Sequence, residues 1–174
     1  LYEQDLLDIL LILNWGRGGF ELARQRHLSE YYQSPIFTTF ALCFDTTRPP
    51  FADVRVRRAF AMTVAREQSF DLFGKRASRP ATGGFISPGM PGHSPDIALA
   101  YDPDQARQLL AEAGYPRGQG FPEVELAIFY VPEVEDSFHY QVQKWHQTLG
   151  VTLTLKVLEW TAYWRHLADG APQI

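Results

Sequence analysis

Glu123-Val-Glu-Leu-Ala-Ile-Phe-Tyr130 places Val124, Leu126, Ile128 and Tyr130 on one face with a period of two, the pattern of a strand with one side buried. Immediately downstream, Phe138, Val142, Trp145 and Leu149 recur at helical spacing, and Gly150 closes the run. Val151 to Leu158 alternates again, and Thr161 to Leu167 reads as a final helix. Strand, helix and strand in this order suit a parallel crossover, so the spacing predicts an α/β lobe.

The elements before this unit are well punctuated. Asp102-Pro-Asp-Gln105 opens a helix with a capping carboxylate, a proline at the first helical position and Gln105 where a capping box needs it. Ala106, Leu109, Leu110 and Ala113 form its apolar stripe, and Gly114 and Pro116 end it. Asp53 caps a second helix after Pro49-Pro50, with Val56, Ala59, Phe60, Thr63 and Val64 at helical spacing. Residues 66–73 read as a further helix or turn before Gly74. In residues 37–44, Phe40, Leu42 and Phe44 alternate with Thr39, Ala41 and Cys43, which predicts a central strand buried on both sides. Ile9 to Leu13 reads as a buried strand, Trp15 to Gly19 as a turn, and residues 20–32 as holding a short helix. Residues 77–95 have no period and many Gly and Pro, the mark of a long loop that is functional or packed down.

The chain has 174 residues, 45% of them apolar and 14% aromatic, enough for a real core. A net charge of −4 argues against direct nucleic-acid binding, which needs a basic excess or stripe. One cysteine, Cys43, excludes an internal disulfide and a multi-cysteine metal site, and its apolar neighbours predict inert packing. No apolar run approaches the roughly 18 residues of a membrane span. The chain starts at Leu1 and reads as an excerpt, so the lack of a signal peptide carries no weight.

Little in the sequence is reactive. His27, His93, His139, His146 and His166 lack the i, i+4 zinc spacing. Gly16-Arg-Gly-Gly19 lacks the Lys-Ser/Thr of a phosphate loop, and no serine carries the Gly-x-Ser-x-Gly elbow. Glu133, Glu135 and Asp136 suit a helix start, where carboxylates favour the macrodipole, and a cation site or acid/base pair is the alternative. Arg55, Arg57 and Arg58 fall in a first helical turn, where they either pair with surface carboxylates or hold an anion. Trp160, Tyr163 and Trp164 directly follow a strand, and ligands of α/β folds gather at the carboxyl ends of strands. Trp160 is therefore the candidate pocket wall, and Trp164 a candidate for either wall or core.

The run Thr38-Thr-Phe-Ala-Leu-Cys-Phe-Asp-Thr-Thr-Arg-Pro-Pro-Phe-Ala-Asp-Val-Arg-Val-Arg-Arg-Ala-Phe60 resembles the oligopeptide- and dipeptide-binding members of the bacterial extracellular solute-binding proteins, a group that also includes nickel binders. Tyr101-Asp-Pro through Leu109-Leu-Ala-Glu-Ala-Gly-Tyr-Pro116 resembles a second block of that family, and Gln147 to Leu155 with Glu159-Trp160 a third. Asp45 stands where the family often has Asn, and Ala65 where an Asp usually precedes Arg66. The resemblance implies one α/β lobe of a two-lobed, type II periplasmic-binding-protein-like fold, a mixed sheet flanked by helices. It implies residues 1–34 as a segment crossing the hinge from the other lobe, and residues 35–174 as a ligand-binding lobe incomplete at its C-terminal end. The implied role is substrate-binding component of an ABC importer, which captures peptides or similar small solutes between lobes that close like a trap. Implied too are a membrane permease as partner, no cofactor, no metal, no catalysis, and a periplasmic or extracellular location with a lipid anchor on some full-length forms. Trp160 is the one ligand-contacting residue carried over; the ionic anchors for peptide termini would lie beyond Ile174. The alternative is the same lobe serving as the sensor of a DNA-binding transcription regulator.

Overall fold

The computed structural model describes residues 2–9, 19–32, 34, 37–67, 79–131, 135–170 and 172–174. The chain divides into two compact units, Leu1–Ile36 and Phe37–Ile174. In the first, helix α1 (Gly19–Arg26) is followed by His27, which with Arg26 holds the carboxylate of Glu3 at 3.2 and 3.3 Å. The expected helix in residues 20–32 is thus present. The expected strand at Ile9–Leu13 and the turn at Trp15–Gly19 fall almost wholly outside the described residues, as does most of the element expected at residues 66–73.

From Asp53 onward, the described α-helices and strands of the second unit are those the spacing predicts. Helix α2 (Val54–Ala61) begins at Asp53, whose side chain accepts from the Arg55 amide at 2.8 Å. Helix α3 (Pro103–Glu112) begins at Asp102, which accepts from the Gln105 amide at 2.9 Å. The reciprocal half of the capping box is replaced: the Asp102 amide donates to the Met62 carbonyl at 3.0 Å, tying the start of α3 to the end of α2. Strands β1 (Val124–Phe129) and β2 (Leu153–Leu158) pair in parallel, Val124 opposite Leu153, and α4 (Glu135–Leu149) makes the crossover. Helix α5 (Trp160–Ala168) follows β2. The chain then returns to the free side of β1, where the Ala127 amide donates to Ile174 and the Ile174 amide to Glu125, at 2.9 and 3.2 Å. Ile174 thereby sits in parallel register with β1, opposite β2.

The two faces of this sheet differ. Val124, Leu126, Ile128 and Leu153 point into a core with Phe51, Val56, Phe60, Leu110, Trp145 and Leu149. Phe60 lies 5.2 Å from Phe51 and 5.0 Å from Trp145, ring centre to ring centre. The core side of α4 also carries polar atoms that close the end of α2. The indole of Trp145 donates to the Phe60 carbonyl and the Gln141 amide to the Thr63 carbonyl, each at 3.3 Å. The Phe60 carbonyl belongs to the last turn of α2, where carbonyls lack intrahelical partners, and Thr63 lies just beyond the helix end. Ser137 and Gln141 are each only 4% exposed, a buried polar pair that a search for apolar spacing overlooks.

Two glycines make the backbone contact that seats α4. A Cβ on Gly118 would stand 2.2 Å from the Gly150 carbonyl, and one on Gly150 2.2 Å from the Arg117 carbonyl. Both have positive φ, +74° and +73°, where glycine alone is unstrained.

Residues 37–44 depart from expectation. They form no strand, Phe37 and Phe40 are exposed, and Cys43 is exposed where inert packing was predicted. Leu42 and Phe44 do pack against the core, Phe44 lying 4.8 Å from Phe51. Alternation reports a two-faced backbone; a strand also needs a neighbour, and here the described main-chain bond is that of the Asp45 amide to the Gln173 carbonyl at 2.9 Å. The long loop is mostly exposed in its described part, Phe85 at 73%, and is tied down by hydrogen bonds. Thr39 donates to the Phe85 carbonyl at 2.9 Å and lies 3.0 Å from the Ser87 hydroxyl, His93 bonds the Ile86 carbonyl at 2.7 Å, and Arg66 the Leu99 carbonyl at 2.8 Å.

Candidate functional site

The carboxyl ends of β1 and β2 lie side by side, joined by the Tyr130 amide donating to the Leu158 carbonyl at 2.7 Å. Helix α5 starts there at once, because Glu159 is in extended conformation and Trp160 is already helical. Its first turns lie against Phe129, with ring centres 4.9 Å from Trp160 and 5.5 Å from Tyr163, both edge-on. Trp160 and Trp164 meet edge to face at 5.4 Å. Trp160 is 54% exposed and Trp164 52%, and Tyr130 beside them is also exposed. Trp164 is therefore not a core residue: one helical turn after Trp160, it shares the solvent side of α5, and no residue of α5 is fully buried. The result is a wide aromatic surface, fixed from below by Phe129, that offers ring faces and edges to a neighbour.

Burial pushes the Tyr163 phenol up, and the nearby Cys43 adds to the effect. Farther along α5, His166 meets the carboxylate of Glu125, and Lys156 reaches the same carboxylate at 3.2 Å. Burial alone would raise Glu125, but hydrogen bonds from His166 and Lys156 and their charges outweigh it and hold the carboxyl below its usual range. This trio joins residues 31 and 41 positions apart, so no local motif announces it. The one hint is charge at Glu125 and Lys156 on the strand faces that alternation assigns away from the core.

The other singled-out residues are dispersed. Arg55 pairs with Asp53 at 2.6 Å and donates to the Glu112 carbonyl at 2.7 Å, so it closes the end of α3. Arg57 donates to the Phe51 and Ala52 carbonyls at 2.6 and 3.0 Å. Arg55 thus pairs with a carboxylate, whereas Arg57 is held by main-chain carbonyls. Glu135 pairs with His139 at 3.5 Å within the first turns of α4; Glu133 lies outside the described residues. His146 bonds the Val151 carbonyl at 3.3 Å. Among the described residues, no group of three or more His, Cys, Asp and Glu side chains is disposed to hold a metal ion. No described helix is long and apolar enough to cross a membrane.

Known proteins place this architecture. Residues 12–174 match the family model of the bacterial extracellular solute-binding proteins, family 5, middle portion. The periplasmic murein peptide-binding protein MppA of Escherichia coli is 29% identical over 149 residues, which is 77% of this chain and 26% of that protein. A putative ABC transporter peptide-binding protein of Brucella ovis is 25% identical over 120 residues, 69% of this chain and 23% of the relative. The chain thus spans about a quarter of the length of these relatives. In structure, E. coli MppA superposes with a TM-score of 0.74 at 24% identity, covering 88% of this chain and 31% of that one. MoaA of A. tumefaciens R10, solved with mannopinic acid, gives 0.66 at 29% identity, over 88% and 31%. The expected type II periplasmic-binding-protein fold is borne out, and the chain belongs to the bacterial extracellular solute-binding proteins, family 5.

Proposed function

We propose that this chain is the ligand-facing part of one lobe in the substrate-binding component of an ABC importer, and that it captures peptides or similar small solutes by binding alone. The observation that carries this is the exposed aromatic surface of Trp160 and Trp164 at the carboxyl edge of the sheet, seated on Phe129. Half-exposed indoles fixed edge-on present apolar area at low cost in side-chain entropy, which suits noncovalent capture. Such a surface completes a site only against a second lobe, and closure follows from contacts made in the shut state alone. Family membership and peptide-binding relatives support the same reading. A permease in the membrane is the implied partner, and the periplasm or outer cell surface the implied location. The role of Trp160 as ligand wall is part of this proposal.

The test is calorimetry on the full-length protein with panels of short peptides, sugars and nickel, followed by mass spectrometry of the recovered ligand. Saturable binding of peptides or a related small solute, with the ligand recovered intact, is the expected result. Turnover of the ligand, or a flat response to every panel, would overturn the proposal.

A further inference from the structure

Residues 80–95 contain no Asp, Glu, Lys or Arg, yet they form a surface loop. Its main chain is held by its own turns: the Ala98 amide donates to the Thr82 carbonyl at 3.0 Å, the Met90 amide to the Ser87 carbonyl at 3.2 Å, and the His93 amide to the Met90 carbonyl at 3.1 Å. Thr39, near the start of the second unit, bonds the loop at Phe85 and Ser87. The apolar side chains are left uncovered. Phe85, Ile86 and Met90 stand exposed beside Phe37, and with Thr39 and Ser87 they line an open groove of about 200 Å³. A loop that faced only water would carry polar side chains there, and clustered exposed apolar area marks a contact surface.

We infer that this groove is an inter-lobe seat: it receives apolar side chains from the rest of the same polypeptide, in the lobe that the capture proposal sets opposite this one. The inference rests on that two-lobed reading for the identity of the occupant. Length, place, size and charge choose it. These residues correspond to 26% of one relative and 23% of another, so most of such a protein lies outside them. Phe37 is the first residue of the second unit, so the groove is built where the chain enters that unit. The groove admits a few side chains, whereas a stable contact between separate proteins buries roughly 800 Å² on each. A contact that small holds when its partner is already tethered, because tethering removes most of the entropic cost of association. An anionic lipid surface would call for basic side chains, and residues 80–95 have none.

The experiment uses the purified full-length protein without ligand. The photo-cross-linker p-benzoylphenylalanine is placed at Phe85 and its cross-links are mapped by mass spectrometry. In the wild type, oxidation of Met90 by peroxide is timed with the buried Met62 as internal standard. The expected cross-links run within one polypeptide to peptides outside residues 1–174. Met90, 41% exposed in these residues alone, is expected to oxidise at least roughly tenfold more slowly than free methionine, because its seat is covered. Cross-links between two polypeptides would make the occupant a second copy. Cross-links confined to residues 1–174, or oxidation of Met90 at the free rate, would show the groove uncovered. Each of these results overturns the inference. Neither readout involves a ligand, so failure here leaves the capture proposal standing, and a protein that captures nothing can still show the cross-link.

Discussion

The two faces of the β1–β2 sheet have the same backbone and opposite characters. On one, Val124, Leu126 and Ile128 are sealed under α2, α3 and α4 by Phe60, Trp145 and Leu149. On the other, Glu125, Ala127 and Phe129 carry a helix none of whose side chains is fully buried and two of whose tryptophans stand half in solvent. The first face is held by close packing and by carbonyls closed from Trp145 and Gln141. The second is held by a few edge-on rings and one shared carboxylate. On the capture proposal, the contrast separates what makes this part of the chain stable from what would make it useful: a binding surface keeps apolar area uncovered until a ligand covers it.

Substitutions on the packed face are where the contrast breaks most visibly. Phe60→Ala empties the centre of the aromatic cluster and is expected to cost about 3–5 kcal/mol in urea unfolding. A cost below about 1 kcal/mol would show that the core lies elsewhere. Gly150→Ala should lower stability by about 2 kcal/mol or more, since it adds a positive-φ penalty to a 2.2 Å clash with the Arg117 carbonyl. Asp102→Ala removes the cap of α3 and is expected to cost about 1 kcal/mol, with Asp102→Asn recovering most of it.

Acid acts on carboxylates at both faces. Glu125 is held below the usual carboxylate range, and so is Asp53, chiefly through hydrogen bonds from Arg55. A depressed carboxylate lends stability that is fully present above its unfolded value, near pH 4, and is lost as pH falls through the folded value. The urea midpoint should therefore hold from pH 7 to about pH 5 and decline below about pH 4, with a shallower decline in Glu125→Gln. An unchanged slope in that variant would remove Glu125 from the account. Smallest of all, Trp160→Ala should change stability by less than about 1 kcal/mol, because half of the side chain is already in water. A large loss would make Trp160 a core residue after all.

The packed face was legible in the sequence because its signals are local. Asp53 and Asp102 announce their helices, Pro103 and Gly114 bound one of them, and period two at Val124 to Ile128 marks the buried side of β1. The working face was less legible for physical reasons. Trp164 has the composition of a core residue, and only the seating of α5 shows that it points outward. Glu125, Lys156 and His166 meet through tertiary folding, with no spacing to betray them. Residues 37–44 alternate like a strand, yet pairing depends on neighbours that alternation does not report. Ser137 and Gln141 were hidden because burial at helical spacing was sought among apolar residues.

The central claim is that the uncovered aromatic face binds the solute while the packed face only supports it. Isothermal titration of the full-length protein against its best peptide or small-solute ligand, comparing wild type with Trp160→Ala, tests it most directly. The account predicts a loss of roughly tenfold or more in affinity with the melting temperature nearly unchanged, the behaviour of an aromatic contact residue. Equal affinity in the two proteins would contradict it.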